Sequence, residues 1–204
     1  MSENWTYKTI KEYSSAQFKE KGSRFIGLIV ACYTEEEVKA RLAEWRLEHN
    51  QATHVCYAFR LGTKGERYRA NDDGEPSNSA GQPILGQLIS AGITNVLCAV
   101  VRYYGGTKLG VGGLVQAYRE AAKMAIDAST IVEREEEKLL RIEFDYSDMP
   151  SIMSILKRHT QLLNAPVIGN SCNVDIACTI RNLDLLTELL NVYHSISITT
   201  LNNG

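Results

Sequence analysis

Three short stretches carry residue types that can do chemistry. In Thr53–Leu61 the residues alternate, so Val55, Tyr57, Phe59 and Leu61 point one way and His54, Cys56, Ala58 and Arg60 the other. A turn at Gly62-Thr63-Lys64-Gly65 and a return over Glu66–Ala70 make this a hairpin. A symmetric loop centred on Thr63-Lys64 pairs Arg60 with Arg67 and Phe59 with Tyr68. That register predicts one accessible face carrying His54, Cys56, Arg60, Arg67 and Arg69, and a buried face carrying Tyr57, Phe59 and Tyr68. Arginines and a histidine on one face are costly to bury, so the face is expected to be wet or to contact an anion. A solvated cationic sheet and a phosphate or nucleic-acid surface both fit. His54 beside Cys56 makes only two ligands, with no third nearby for a metal or a triad.

The second stretch is Arg102-Tyr103-Tyr104-Gly105-Gly106-Thr107-Lys108-Leu109-Gly110-Val111-Gly112-Gly113. Successive glycines let backbone N–H groups converge, and a helix predicted from about Leu114 to Ala128 adds the partial positive charge of its N-terminus. With Arg102 and Lys108 alongside, Gly105, Gly106, Gly110, Gly112 and Gly113 form a candidate anion cradle, and Tyr104 a candidate base-stacking ring. Tight packing of strand, loop and helix is the competing reading. Neither standard nucleotide motif is complete: Val111-Gly112 replaces the Lys-Ser/Thr of a P-loop, and Val115 stands where a dinucleotide fingerprint ends in Gly. The third stretch, Asp72-Asp73-Gly74-Glu75-Pro76-Ser77-Asn78-Ser79-Ala80-Gly81, could bind Mg²⁺ or do acid–base work through Asp73 and Glu75. It could equally be a turn in which Ser77 or Ser79 caps a helix near Pro83–Ser90.

The elements that must hold these stretches fall in two blocks. Thr6–Thr9 and Phe18–Val30, broken at Lys21-Gly22, read as strands; Thr34-Glu35-Glu36-Glu37 opens a helix to about His49 with Val38, Leu42 and Trp45 inward. Asn95–Arg102 is apolar on both faces, as a central covered strand would be. After a break near Ser129–Glu137 the order strand 139–144, helix capped by Asp148, strands near Val167 and Val174–Ile180 around Gly169-Asn170-Ser171, helix capped by Asn182, and strand Ser195–Leu201 gives a ferredoxin-like β-α-β-β-α-β plan. Of 15 Gly, 13 precede residue 114, and the net charge is +2 over residues 1–134 and −4 after them. Two domains are expected, over 1–132 and 135–204.

Composition narrows the class. The 204 residues are 44% hydrophobic and 23% charged with only 4 Pro, which excludes disorder and low complexity. Five cysteines without a CxxC pair point to reduced thiols in a cytoplasmic protein. The N-terminus has no basic, apolar leader, and the apolar run Val96–Val101 is far too short to cross a bilayer, so no membrane partner is expected. A net charge of −2 leaves polyanion binding to a local patch.

Several segments resemble the IMPACT/YigZ family. They are Lys21-Gly22-Ser23-Arg24-Phe25-Ile26, His54-x-Cys56-Tyr57-Ala58, Asp72-Asp73-Gly74-Glu75-Pro76-Ser77, Ala80-Gly81-x-Pro83, Val100–Gly106 and Leu109-Gly110-x-Gly112-Gly113-Leu114-Val115-x-Ala117-Tyr118. Asn78 and Gln82 depart from the pattern, and Gln82 leaves one cation fewer beside the acidic loop. The resemblance implies an α+β chain: a ribosomal-protein/GHMP-kinase-like module, then a ferredoxin-like domain similar to the last domain of elongation factor G. It also implies a link to translation, since eukaryotic relatives compete for the activator of a starvation-responsive initiation-factor kinase. Those relatives carry an extra N-terminal domain not seen in this sequence, so that partnership is not carried over. The expected function is a non-catalytic RNA- or ribosome-binding protein linked to regulation of translation, with no cofactor and no metal. The competing reading is an enzyme acting on a small phosphorylated or nucleotide ligand at the Gly-rich and acidic loops.

Overall fold

Alternating apolar residues in the first block build a sheet covered on both faces. A computed structural model describes residues 5–169 and 171–201, so Asn170 of the expected Gly169-Asn170-Ser171 turn lies outside them. The chain is mixed α+β and divides into two compact units: Tyr7–Arg134, and Glu135–Gly204 with Met1–Thr6. In chain order the first block holds β1 Thr6–Ile10, β2 Ser14–Glu20, β3 Ser23–Ala31, α1 Glu35–Glu48, β4 His54–Leu61, β5 Arg67–Asn71, α2 Gly81–Ser90, β6 Val96–Tyr103, α3 Gly110–Asp127 and β7 Ile131–Glu135. Five strands form an antiparallel sheet in the order β2-β3-β6-β4-β5, while β1 pairs with β7. Along β6, Val96, Cys98 and Val100 face a core with Ile84, Leu88, Tyr118 and Ala121 of α2 and α3. Leu97, Ala99 and Val101 face Val38 and Trp45 of α1 on the other side.

The hairpin register differs from the symmetric one. Leu61 pairs with Arg67, Arg60 with Tyr68 and Phe59 with Arg69, because five residues, Gly62–Glu66, form the loop rather than four. Gly62 turns at φ +85°, its N–H donates to Asn95 Oδ1 and its carbonyl accepts from Thr94 Oγ1, which pins the loop one residue longer. Arg67 and Arg69 therefore share a side with Phe59 and Leu61, and Tyr68, expected buried, is 65% exposed beside Arg60. The face with His54, Cys56, Ala58 and Arg60 is not a wet cationic surface. Its two small central residues, Cys56 and Ala58, pack into the α2/α3 core, and only its ends are charged.

Two helix starts also move. α3 begins at Gly110, not Leu114, so Gly110–Gly113 form its first turn rather than a loop. α2 is capped by neither Ser77 nor Ser79; the Asp72 carboxylate accepts from the N–H groups of Ala80 and Gly81 instead.

The second block holds β8 Glu137–Phe144, α4 Met149–His159, β9 Gln161–Leu162, β10 Val167–Ile168, β11 Cys172–Thr179, α5 Ile180–Leu190 and β12 Ser197–Thr200. The sheet runs β10-β11-β8-β12, with β9 also on β11, over a core of Ile142, Phe144, Ile152, Leu156, Ile176 and Leu186. Asp148 sits at the start of α4 but accepts from Ser195 Oγ rather than capping, and α5 starts at Ile180, which puts Asn182 inside it. Among the described residues no helix is long and apolar enough to cross a membrane.

All five cysteines are free and buried. Burial pushes the Cys32 and Cys98 thiols up to about 12. Ellman's reagent at about pH 8 should therefore titrate no thiol of the native chain within minutes and all five after denaturation. A fast-reacting native thiol would contradict this burial.

Candidate functional site

The antiparallel ladder sets His54 opposite Arg102, so the start of β4 and the end of β6 lie side by side. The acidic loop and the first turn of α3 close round them. A recess of about 430 Å³ opens there, lined by His54, Glu75, Arg102, Tyr104, Lys108 and Gly110 among others.

Its floor is a buried polar cluster. Glu75 Oε1 accepts from Arg102 Nη1 at 2.6 Å and from Tyr118 Oη at 2.7 Å. Tyr118 reaches it because Leu114, Tyr118, Ala121 and Ala125 form the inward stripe of α3, and its ring meets Phe25 edge-on at 5.3 Å. Burial pushes the Tyr118 phenol well above its ordinary range, so it stays protonated and donates. Arg102 stacks near both Phe25 and Tyr104, 5.5 Å from each ring centre, and its buried Nε–H finds no partner.

His54 has a fixed orientation. Its Nδ1 lies 2.7 Å from the Asp73 carbonyl oxygen. A carbonyl only accepts, so in the neutral ring Nδ1 carries the proton and Nε2 is left as acceptor, 3.9 Å from Glu75. Cys56 is no partner to it: Sγ donates to the Asp72 carbonyl, and burial pushes the thiol far up.

The acidic loop is largely occupied by its own structure. Asp72 accepts from the Asn78, Ala80 and Gly81 N–H groups. Asp73 accepts from the Val55 N–H and from Arg46 at 2.6 Å. Ser77 is exposed. Among the described residues no group of three or more His, Cys, Asp or Glu could hold a metal ion.

The glycine stretch divides into two roles. Gly105 packs directly on the backbone of Gly22 and Ser23, and its N–H donates to Ser23 Oγ. From Gly106 to Gly112, by contrast, no described backbone N–H donates to a group outside α3 and its cap. The space a Cβ would fill at Gly106, Gly110 and Gly112 is empty within 4 Å.

His54, Arg102, Tyr104, Lys108 and Gly110 are thus brought together, and the hairpin arginines are not among them. Arg60 is six residues along β4 from His54, roughly 20 Å at the rise of a strand. Its Nη1 donates to the Ile93 carbonyl and Nη2 to that of Lys64. Arg67 and Arg69 stand exposed on the edge strand β5. None of the three lines the recess. The sequence reading missed the Glu75–Arg102–Tyr118 cluster, although Tyr118, one helical turn after Leu114, carried the signal of an inward position.

Comparison with known proteins now adds a family. Residues 21–126 match the model of the Impact N-terminal domain. IMPACT family member YvyE of Bacillus subtilis (strain 168) is 34% identical over 192 residues, which is 91% of this chain and 88% of that protein. IMPACT family member YigZ of Escherichia coli (strain K12) is 35% identical over 138 residues, 67% of this chain and 68% of its own. A crystal structure described as that of a hypothetical protein superposes on 98% of this chain and 100% of its own, with a TM-score of 0.78 and 25% identity.

Proposed function

The chain belongs to the IMPACT family, and from that premise we propose that it is a non-catalytic RNA- or ribosome-binding protein linked to the regulation of translation. The observation that carries this reading is the recess itself: Lys108 and the unsatisfied first-turn N–H groups of α3 stand beside the exposed ring of Tyr104. Cation, helix N-terminus and aromatic ring are the parts that hold a phosphate and stack a base. Asp72 and Asp73 are committed to backbone N–H groups and Arg46, and Glu75 to Arg102, which favours binding over acid–base catalysis. The finer fold reading goes with it. We take residues 1–132 as the ribosomal-protein/GHMP-kinase-like module and 135–204 as ferredoxin-like. Division of the chain after Arg134 supports the boundary between them, while the same division groups Met1–Thr6 with the second unit, and the strand order β10-β11-β8-β12 supports the second module.

Salt dependence tests the reading. Affinity for single-stranded RNA should fall as salt rises, with a log–log slope of about −0.7 per phosphate contact. Lys108→Ala should remove about one contact from that slope. Tyr104→Ala should weaken binding at an unchanged slope. Arg60→Ala should leave the slope alone, because Arg60 does not line the recess and stands roughly 20 Å along β4 from His54. Failure to bind RNA or ribosomes at about 50 mM salt would end the proposal.

A further inference from the structure

We propose that the recess holds a guanine base, taken by the edge that carries its ring N–H and its amino group. This rests on the RNA reading above and names the base that the RNA would present.

Acceptors without a donor border the recess. Glu75, with 4% of its side chain exposed, turns Oε1 to Arg102 and Tyr118, and no described residue donates to Oε2. Among the described residues, the fully enclosed side-chain polar atoms without a partner are Arg102 Nε and Thr179 Oγ1. Glu75 Oε2 is not one of them, so it keeps an open side, and the open space that Glu75 borders is the recess. His54 stands on the same wall. With its Nδ1–H given to the Asp73 carbonyl, its Nε2 is an acceptor in the neutral ring. That nitrogen lies 3.9 Å from Glu75 Oε1, which makes the free acceptors neighbours.

The rest of the wall suits a flat, uncharged ring. Pro76, Leu109, Val111 and Leu114 supply apolar surface. A volume of about 430 Å³ falls within the usual range for a small ligand, roughly 300–1,000 Å³. Arg102 neutralises Glu75, and Lys108 on the same wall opposes a cation. Tyr104, 47% exposed, offers its ring for stacking.

A pair of neighbouring acceptors selects among the bases. Guanine sets its ring N–H and its amino group side by side. Adenine and cytosine place an acceptor nitrogen next to the amino group, and uracil flanks its N–H with carbonyls. Each of these three brings a lone pair against Glu75 Oε2 or His54 Nε2, leaves that acceptor unmet and is rejected for it.

The test uses the full chain and fluorescence anisotropy with uridine hexanucleotides carrying one central G, A or C, competed by guanosine, inosine or adenosine. Expected is about tenfold tighter binding of the G strand, the order that one well-made pair of base-edge bonds gives. Guanosine should compete better than inosine, which lacks the amino group, and adenosine should not compete. His54→Phe should reduce the preference by removing an acceptor. Val111→Trp, at an exposed position on the wall, should abolish it by filling the recess while keeping the fold. A G preference that survives Val111→Trp overturns the proposal. Equal binding of the three strands also overturns it and leaves the RNA reading standing. Binding of guanosine without any RNA supports the recess and overturns the RNA reading, and binding of neither overturns both.

Discussion

Replacing Arg102 with Met should destabilise the unit Tyr7–Arg134 by about 3–5 kcal/mol, the usual cost of removing one partner of a buried ion pair. Glu75, with 4% of its side chain exposed, would keep only Tyr118 as a donor within 3 Å and a histidine nitrogen 3.9 Å away. A carboxylate so buried must then stay charged without a cation or take up a proton. Arg102→Met combined with Glu75→Leu should recover most of the loss, because an apolar pair of similar size avoids the desolvation that the ion pair must overcome. The two substitutions would then be strongly non-additive, as contacting residues are. Urea denaturation analysed separately for the two units measures this cycle. A single-variant loss below about 1 kcal/mol would mean the pair is exposed enough to be worth no more than a surface bridge.

Within one glycine-rich stretch, two alanine substitutions should have opposite signs. A Cβ on Gly105 would lie inside the van der Waals envelope of the Gly22 carbonyl and the Ser23 nitrogen. Both obstacles are backbone, so no rotamer change relieves them; the loss should reach or exceed the upper part of the usual overpacking range, about 1–3 kcal/mol. Gly112 meets nothing within 4 Å, lies in the first turn of α3 and has no positive φ. Gly112→Ala should stabilise by about 0.4–1 kcal/mol by restricting the unfolded chain. Thermal midpoints of the two variants decide it: a Gly105→Ala protein as stable as the parent would refute the close approach of the two loops.

Element types were legible wherever the apolar period was sustained. Val38, Leu42 and Trp45 declared α1, and the uninterrupted run Val96–Val101 declared a strand covered on both faces, which β6 is. The hairpin register was not legible. A loop of four or five residues fits the same letters, and Asn95, 33 residues away, holds the longer one. Asp72 likewise serves α2 from a distance, where serines next to the helix were the local candidates. Of the recess, the glycine stretch, Lys108 and His54 could be named from spacing, but their meeting depends on the pairing of β4 with β6. Glu75 stood level with Asp73 as a candidate carboxylate of the turn. Only burial singles it out.

The central place of β6 has a consequence for how the chain acquires its structure. β2–β3 and β4–β5 are local hairpins, yet neither has a neighbour until Val96–Tyr103 inserts between β3 and β4. Pairs such as Ala31 with Val96 and Arg24 with Tyr103 close long loops, and non-local pairing of that kind slows folding. At ribosomal rates of about 5–20 residues per second, several seconds separate synthesis of β3 from that of β6. From the completion of β5 until β6 emerges, the chain holds two hairpins without their shared neighbour. Protection of their amides from exchange should therefore arise in one step, when the last strand arrives, and a nascent chain stalled before Val96 should be a substrate for chaperones rather than a folded half.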